Sequence, residues 1–586
     1  MYLPLKTLKL PLILPNRRIS IPKIKVSPVW SLAWGKVDAV TDSVTWRDRS
    51  LALLNASPTF SPNERFVLVG DIWLSNASKL LQQVDINSKE VTHSQIVAAL
   101  WERWGVESLI LLEGMFALAV WDRERQELWL GRDRVGSRTL YYTNCGETRW
   151  LAPRLKTLRS HHSSDLDLVA LQEYLCCSFV PGERTLWQEV GELLPGTRLR
   201  FPDQNLQFDW QIEEQITASQ QLIEWYGEKL RSLLNEIVQE YLPTNEPIGA
   251  YLSGGLDSSC ITALAAKFYN QPVHTYSIHF GSDCPNELEF SSLVAKHCHT
   301  QHHILEISPT DLWEQLPRTM AYLDTPIGDP LTVPNLLMGE LARKDVRVIL
   351  NGEGGDPCFA GPKNKPMLLN SLYGPVAPEP LDLVAAYLHS FRKCSADLPQ
   401  LLNADTWSAI QSEPSVFAPD LNTDISYLNR LMLLNIKFKG ADQILTKVNN
   451  LTTAAGLHGR SPLFDQRIVE FSLQIPPEYK LAGADEKAVL KQAVADLLPE
   501  AILKRPKSGM MVPVQKWFRE AWRPQAKALL LDKKAAIAPY LNQTLIRDWL
   551  NYQGDAWSRY GAKLWLLVSL EIWLQVNHSG NFRSPK

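Results

Sequence analysis

Hydrophobic positions along the chain fall into two textures. Up to about residue 210, short apolar runs lie between turn residues, as in FVLVGDIWL (66–74) and ELWLGRD (127–133), a pattern that predicts strands. GMFALAVWD (114–122) is apolar almost throughout, the character of a buried strand. HSQIVAALWERWG (93–105) lies between two of these runs and reads as a helix ended by a glycine. A polar stretch over 203–220 leads into QQLIEWYGEKLRSLLNEIVQEYL (220–242), apolar at helical spacing. The pattern then changes to strand–loop–helix in PIGAYLSGGLDSSCITALAAKFYN (247–270), followed by the strand-like VHTYSIHF (273–280) and VRVILNGEGGD (346–356). Strands alternating with helices predict a parallel α/β sheet. The final third is helical in pattern and rich in Trp, as in GAKLWLLVSLEIWLQV (561–576). The expected class is a two-domain protein, β-rich over 1–210 and α/β with a helical C-terminal part over 211–586.

Bulk properties narrow the function without naming it. A chain of 586 residues with 45% hydrophobic and 21% charged residues has an ordinary globular composition. A formal net charge of −3 supplies no global field for nucleic acid or an acidic membrane. The eight Cys contain no CxxC pair, which fits reduced thiols in a cytosol better than a disulfide scaffold or a zinc ribbon. LPLKTLKLPLILPNRRISIPKIKV near the N-terminus mixes apolar residues with Lys, Arg and Pro. It reads as irregular or strand-like structure rather than a signal peptide or membrane span, and the expected location is cytoplasmic.

The chemistry centres on LSGGLDSS (252–259), between the strand IGAYL and the helix SSCITALAAKF. Backbone N–H groups of a Gly-rich turn and of a helix N-terminus converge there on one anion site. Ser253, Ser258 and Ser259 add hydroxyls, while Gly254 and Gly255 let the backbone approach a phosphate. Asp257 would repel that phosphate unless a cation such as Mg2+ stands between them. The Walker A pattern with its Lys is absent.

SGGLDSS after a strand resembles the pyrophosphate-binding loop of the ATP pyrophosphatases, the group that includes asparagine, GMP and argininosuccinate synthetases. The resemblance implies ATP as a substrate, release of pyrophosphate, and Asp257 as a Mg2+ ligand. NGEGGDPCFAG (351–361) is similar to the second signature of asparagine synthetases. That likeness implies Asp356 as the second Mg2+ carboxylate and Glu353 as a base for the attacking amine, with Pro357 replacing the family's next Glu. It also carries nucleotide contacts over to Leu252, Ser277 and Gly352. YLDTPIGDP (322–330), ADQILTKVNNLTTAAGLHGRSPLFD (441–465) and LPEAILKRPKSGMMVP (498–513) follow in the family's order. In the last, Lys507 is the implied cation on the phosphates, with Arg505 beside it. His458 stands where the family has Glu, and two readings remain open: a base, since its pKa lies near neutrality, or a packing residue. HCHTQHH (297–303) fits no standard zinc spacing, and the family has a His pair here, so the cluster is taken as structural.

The first part resembles the family's class II glutamine amidotransferase domain, through LLEGMFALAVWDRERQELWLGRDRVGSRTLYY (111–142), FVPGERTLW and ELLPGT. The fold this implies is an Ntn-hydrolase-like sandwich followed by an adenine-nucleotide α-hydrolase-like sheet. The implied nucleophile, a Cys directly after the initiator Met, is missing: Met1 is followed by Tyr2, no Met-Cys pair occurs, and the first Cys is Cys145. The family's Asn-Gly-Glu-x-x-Asn reads Val69, Gly70, Asp71, Ile72, Trp73 and Leu74, and its later Asp falls on His93. A domain without glutamine hydrolysis is expected.

An adenylating site without a glutaminase needs another amine. β-Lactam synthetases and lasso-peptide cyclases, both similar to this family, take it from the substrate itself. The expected reaction is therefore macrolactam formation on a precursor peptide, with a leader-peptide-binding protein and a leader peptidase as partners. Asparagine formation from aspartate and free ammonia is the alternative. A non-catalytic scaffold that binds ATP or a peptide is countered by the retention of Asp257, Asp356, Glu353 and Lys507 together.

Overall fold

The computed structural model describes residues 29–84, 86, 90–210, 213–214, 221–361, 382–483, 485–505, 511–553 and 559–577. The N-terminal stretch discussed above and Lys507 lie outside the described residues.

The first domain is built from two six-stranded antiparallel sheets. Its strands are β1 (Ser31–Gly35), β2 (Val44–Asp48), β3 (Leu51–Leu54), β4 (Thr59–Phe60), β5 (Phe66–Leu74), β6 (Gly114–Asp122), β7 (Glu127–Arg132), β8 (Tyr141–Cys145), β9 (Thr148–Ala152), β10 (Val190–Glu192), β11 (Thr197–Phe201) and β12 (Asn205–Phe208). They are ordered β10-β8-β9-β1-β3-β2 and β12-β11-β7-β6-β5-β4. Alternation along β6 explains the layering. Ala117, Ala119 and Trp121 face the other sheet, while Phe116, Leu118 and Val120 face the helix His93–Trp104. That helix opens on a capping box between Thr92 and Gln95 and stops at Gly105, with φ +59°. The outer face of the other sheet packs on the helix Leu168–Cys177, giving helix, sheet, sheet, helix.

The second domain holds a five-stranded parallel sheet of β13 (Ile248–Tyr251), β14 (His274–His279), β15 (Gln301–Glu306), β16 (Val348–Leu350) and β17 (His458–Arg460). Their order is β15-β14-β13-β16-β17. Both faces are covered. Ile223–Tyr241 and Leu256–Phe268 pack on one side, Pro309–Tyr322 and Thr332–Ala342 on the other. This burial explains the apolar runs of the two central strands β13 and β16. The C-terminal helix Tyr560–Asn577 is buried along most of its length. Among the described residues no helix is long and apolar enough to cross a membrane.

One hydrophobic core runs through both domains. Trp187 of the first domain stacks on Trp573 at 5.5 Å, and Tyr174 donates to the carbonyl of Leu566 at 3.0 Å. Buried polar groups fix this packing. Arg154 pairs with the fully buried Asp324 at 2.6 Å, and Asp324 also accepts from Asn450 Nδ2 at 2.9 Å. Asn435–Leu445 is π-helical, an uncommon form often found where a segment meets a special constraint. It presents Asp442 to the Gly182 N–H at 2.7 Å and Gln443 to Ser178 Oγ at 3.2 Å.

Asp442 carries a pH-dependent cost. Burial, reinforced by the nearby Glu192, raises its pKa well above the carboxylate range. Glu192 is paired with Arg132 at 2.9 Å, so Asp442 is the acid that holds a proton. The folded state then binds more protons than the unfolded chain above the ordinary Asp pKa, so this contribution to stability falls as pH rises. Asp442→Asn keeps an acceptor for Gly182 without the ionisable group. Thermal melts should show this variant gaining on the wild type as pH goes from 5 to 8; a constant difference across that range would refute the assignment.

Candidate active site

In a parallel sheet, ligands bind outside the carboxyl ends of the strands, where the strand order reverses. Here the chain passes from β13 out through β14 and β15, then returns on the other side as β16. The reversal lies between β13 and β16, and the loops that follow these two strands carry SGGLD and NGEGGD.

The first loop is held by its own hydroxyls. Ser253 N–H donates to Ser258 Oγ at 3.2 Å, Gly255 N–H donates to Ser253 Oγ at 3.3 Å, and the two hydroxyls lie 3.1 Å apart. Gly254 has φ +78°, and a Cβ there would fall 2.5 Å from Ser291 N, so only glycine fits. Leu252 N–H bonds to Tyr276 O at 2.9 Å, while Ser277 Oγ donates to Leu252 O. Ser277 is therefore a buried clamp at the root of the loop. His302 bridges Thr275 and Ser277 from β15, and burial pushes its pKa down to about 4, so it stays neutral. Asp257 and Ser258 lie in the first turn of the Leu256–Phe268 helix, and Ser259 is fully buried behind them.

The second loop interlocks with the first. A Cβ on Gly352 would lie 2.5 Å from Ser258 N, and one on Gly355 would overlap the Asp257 carboxylate at 2.2 Å. This close approach brings Asp257 and Asp356 onto one cation. Lys487 Nζ lies 2.5 Å from Asp257 Oδ2 and 2.5 Å from Asp356 Oδ1. Burial alone would push the Lys487 pKa down, but the two carboxylates outweigh it and raise it. Lys487 has φ +57°, rare for a residue with a side chain, where it caps the helix Ala488–Ala493. Pro357 lies within the first turn of the short helix Gly355–Phe359, where the missing N–H costs no helical bond.

Three further groups surround this cluster. Arg505 donates to Gly254 O at 2.9 Å, pairs with Glu287 at 2.5 Å, and lies over the Phe290 ring at 3.9 Å. It braces the first loop from behind. Glu353 follows Gly352, its N–H bonded to Asn351 Oδ1 at 3.0 Å. Lys447 is buried, pairs with Asp329 at 2.6 Å and also feels Glu353. Burial opposes its charge, but Asp329 and Glu353 hold its pKa above the ordinary value.

His458 is placed differently. It opens β17 opposite Val348, at the amino end of the sheet, and is exposed. Arg460, two residues on, pairs with Leu350 at the carboxyl end. Its carbonyl accepts from Asn351 N–H and Nδ2, each at 3.1 Å. Its guanidinium lies over Trp73 at 4.6 Å and donates to Tyr241 O; burial pushes its pKa down to about 10. Lys487 and Lys447 were not singled out from sequence. Each is one lysine among many, and neither its burial nor its carboxylate partners leave a local pattern.

The arrangement fits a hard cation with phosphate. Two carboxylates converge beside a turn of backbone amides and a helix N-terminus, an all-oxygen donor set of the kind Mg2+ takes with phosphate oxygens.

In the first domain, Asp71 pairs with Arg138 at 2.9 Å, and His93 Nδ1 accepts from Leu74 N–H at 3.0 Å. Val69 and Leu74 are buried apolar side chains on β5, and Trp73 packs edge-on against Tyr241 of the second domain. Cys145 is exposed at the end of β8.

Comparison with known proteins agrees with this geometry. The family described as asparagine synthase matches residues 229–575, and the glutamine amidotransferase domain matches residues 49–211. Asparagine synthetase [glutamine-hydrolyzing] 1 of Bacillus subtilis is 23% identical over 520 residues, covering 83% of this chain and 81% of its own. A putative asparagine synthetase [glutamine-hydrolyzing] of Mycobacterium bovis is 26% identical over 613 aligned positions, covering 94% and 92%.

The charge cluster is testable on its own. Lys487→Met leaves two carboxylates facing each other, and breaking a buried ion pair costs up to about 3–5 kcal/mol. Thermal melts should show a lower midpoint for Lys487→Met and a partial recovery in Lys487→Met/Asp356→Asn. An unchanged midpoint in the single variant would mean that the ammonium does not hold the loops together.

Proposed function

The chain belongs to the asparagine synthase family, and from that premise we propose that it joins a carboxylate to an amine carried by the same substrate molecule, without hydrolysing glutamine. It is an ATP-dependent carbon–nitrogen ligase. The observation that carries the finer reading is a contrast between the two domains. The Asp257–Lys487–Asp356 cluster is complete, whereas the family's glutamine motif in β5 offers Val69, Trp73 and Leu74.

In this reading a carboxylate oxygen attacks the α-phosphorus of ATP. The bond to the β-phosphate oxygen breaks, and pyrophosphate leaves into the Ser253–Ser258 turn. Backbone amides there are aimed where negative charge grows, which is how such donors lower a barrier. Asp257 and Asp356 would hold Mg2+, which supplies charge neutralisation for the pyrophosphate. The amine then attacks the acyl carbon, Glu353 takes its proton, and AMP departs. Lys447 and Asp329 keep the surroundings of Glu353 ordered and charged. Lys507 is retained as a further proposed phosphate contact, and His458 receives no role.

The proposed substrate is a precursor peptide with an Asp or Glu side chain and a free α-amine, closed to a macrolactam. A leader-binding protein, a leader peptidase and a cytoplasmic setting belong to the same proposal. Asparagine formation with free ammonia is the second reading, favoured by the near full-length match to asparagine synthetases.

The deciding measurement is pyrophosphate release from ATP and Mg2+ with candidate carboxylates. Product from a peptide lacking one water, formed without added amine, is the expected outcome. Product that requires ammonia would transfer the conclusion to asparagine synthesis, and glutamine hydrolysis by the purified chain would refute the reading of the first domain. Asp257→Ala and Asp356→Ala should each abolish pyrophosphate release; retained release would overturn the metal assignment.

A further inference from the structure

We propose that His274, His303 and Asp345 form a transition-metal site of the zinc class on one face of the parallel sheet, with His274 and Asp345 at its amino end and His303 in mid-strand. Three separate segments supply the donors. His274 is the first residue of β14, His303 lies in β15, and Asp345 sits in the turn between Thr332–Ala342 and β16. One donor atom from each lies within 4.8 Å of the others. HCHTQHH thus contributes a single ligand: His297 bonds to Leu497 O, His299 occupies a turn at φ +52°, and His302 faces Thr275 and Ser277.

The donor types select the class of ion, and the spacing is compatible with it. His274 Nδ1 and His303 Nε2 are 3.3 Å apart. Two nitrogens bound to a tetrahedral zinc at ordinary bond lengths are separated by about 3.3–3.4 Å, against about 2.9 Å for right-angle coordination. His303 Nε2 and Asp345 Oδ2 are 3.9 Å apart, so the carboxylate must move in by about half an ångström. Its place on an exposed turn allows that. Two imidazoles and one carboxylate suit zinc and its neighbours and discriminate against Mg2+, which prefers oxygen alone. A water would complete the fourth position.

The support around the donors is already built. Tyr276 OH donates to Asp345 Oδ2 at 3.1 Å, orienting the carboxylate. The Tyr276 ring stacks on His303 at 5.0 Å, and His303 stacks on His274 at 5.5 Å, which fixes both ring planes. Gly249 explains how Asp345 reaches this point across β13. A Cβ there would lie 3.0 Å from Tyr276 Cε2 and 3.1 Å from Val346 Cγ2. The helix Thr332–Ala342 ends three residues before Asp345, and its C-terminal carbonyls favour a cation nearby.

The three donors are separate from the Asp257–Lys487–Asp356 cluster, so the test reads metal rather than turnover. The full chain without a polyhistidine tag is stripped with chelator and titrated with Co2+ or Zn2+ in excess Mg2+, which saturates oxygen-only sites. The expected result is one equivalent bound, a tetrahedral Co2+ spectrum, and a raised thermal midpoint. His303→Gln should remove the binding, while Asp345→Asn and Tyr276→Phe should weaken it by about 10–100-fold. If His303→Gln fails to fold, Asp345→Asn on the exposed turn decides. No stoichiometric uptake by the wild type, or uptake unchanged in Asp345→Asn and His303→Gln, would reduce the cluster to a histidine–histidine hydrogen bond and overturn the proposal.

Discussion

The ammonium of Lys487 between Asp257 and Asp356 is the interaction on which the site depends. With both carboxylates 2.5 Å from one nitrogen, they stand no more than about 5 Å apart, where like charges repel by roughly 3 kcal/mol at an effective dielectric of 20. Without a cation the loops after β13 and β16 would part. The two loops are distant in sequence and adjacent in space only because the strand order reverses between them. Lys487 comes from a third segment, beyond β17, and takes an unfavourable backbone conformation to arrive. Topology, backbone strain and buried charge thus converge at one point.

The first domain remains a full partner although its glutamine-binding positions are altered. Trp73 stands in the middle of that motif, and it meets Arg460 and Tyr241 of the second domain. The Arg460 carbonyl in turn holds Asn351, at the root of the loop that carries Glu353 and Asp356. Through Trp73 and Arg460 the surface of β5 thus packs one residue away from the loop that carries Glu353 and Asp356. The buried Arg154–Asp324 pair and the Asp442–Gly182 bond tie the domains at two more points. Such groups lock one relative orientation, because any other would leave a charge or an amide buried without its partner.

What the sequence made legible follows from how local each signal is. The strands of β5, β6, β13 and β16, the helix closed by Gly105, and both Gly-rich loops rest on spacing within a dozen residues, and they stand where that spacing put them. Asp257 and Asp356, which the structure brings onto one ammonium, could be singled out because each sits in a local motif. Lys487 and Lys447 were invisible, since only the fold turns two ordinary lysines into buried partners of carboxylates. His458 shows the converse. It stands where the family has Glu, which left a base and a packing residue both open, and a strand of three residues carries it and Arg460 to opposite ends of the strand. HCHTQHH failed as a spacing pattern because alternate residues of a strand face opposite ways, sending His302 and His303 to different neighbours.

The two edges of the sheet also sort ligands by charge. At the carboxyl edge, the Leu256–Phe268 helix begins, and its free N–H groups favour anions. At the amino edge, Thr332–Ala342 ends, and the negative end of its dipole favours cations. The field at the carboxyl edge suits each carboxylate, but two of them brought together call for a countercation, which Lys487 supplies here and Mg2+ would supply in the proposed reaction. At the other end of the sheet the field opposes the Asp345 carboxylate, and a cation held by His274, His303 and Asp345 would relieve that repulsion. One βαβ architecture therefore offers an anion cradle at one end and, in the proposed site, a seat for a cation toward the other.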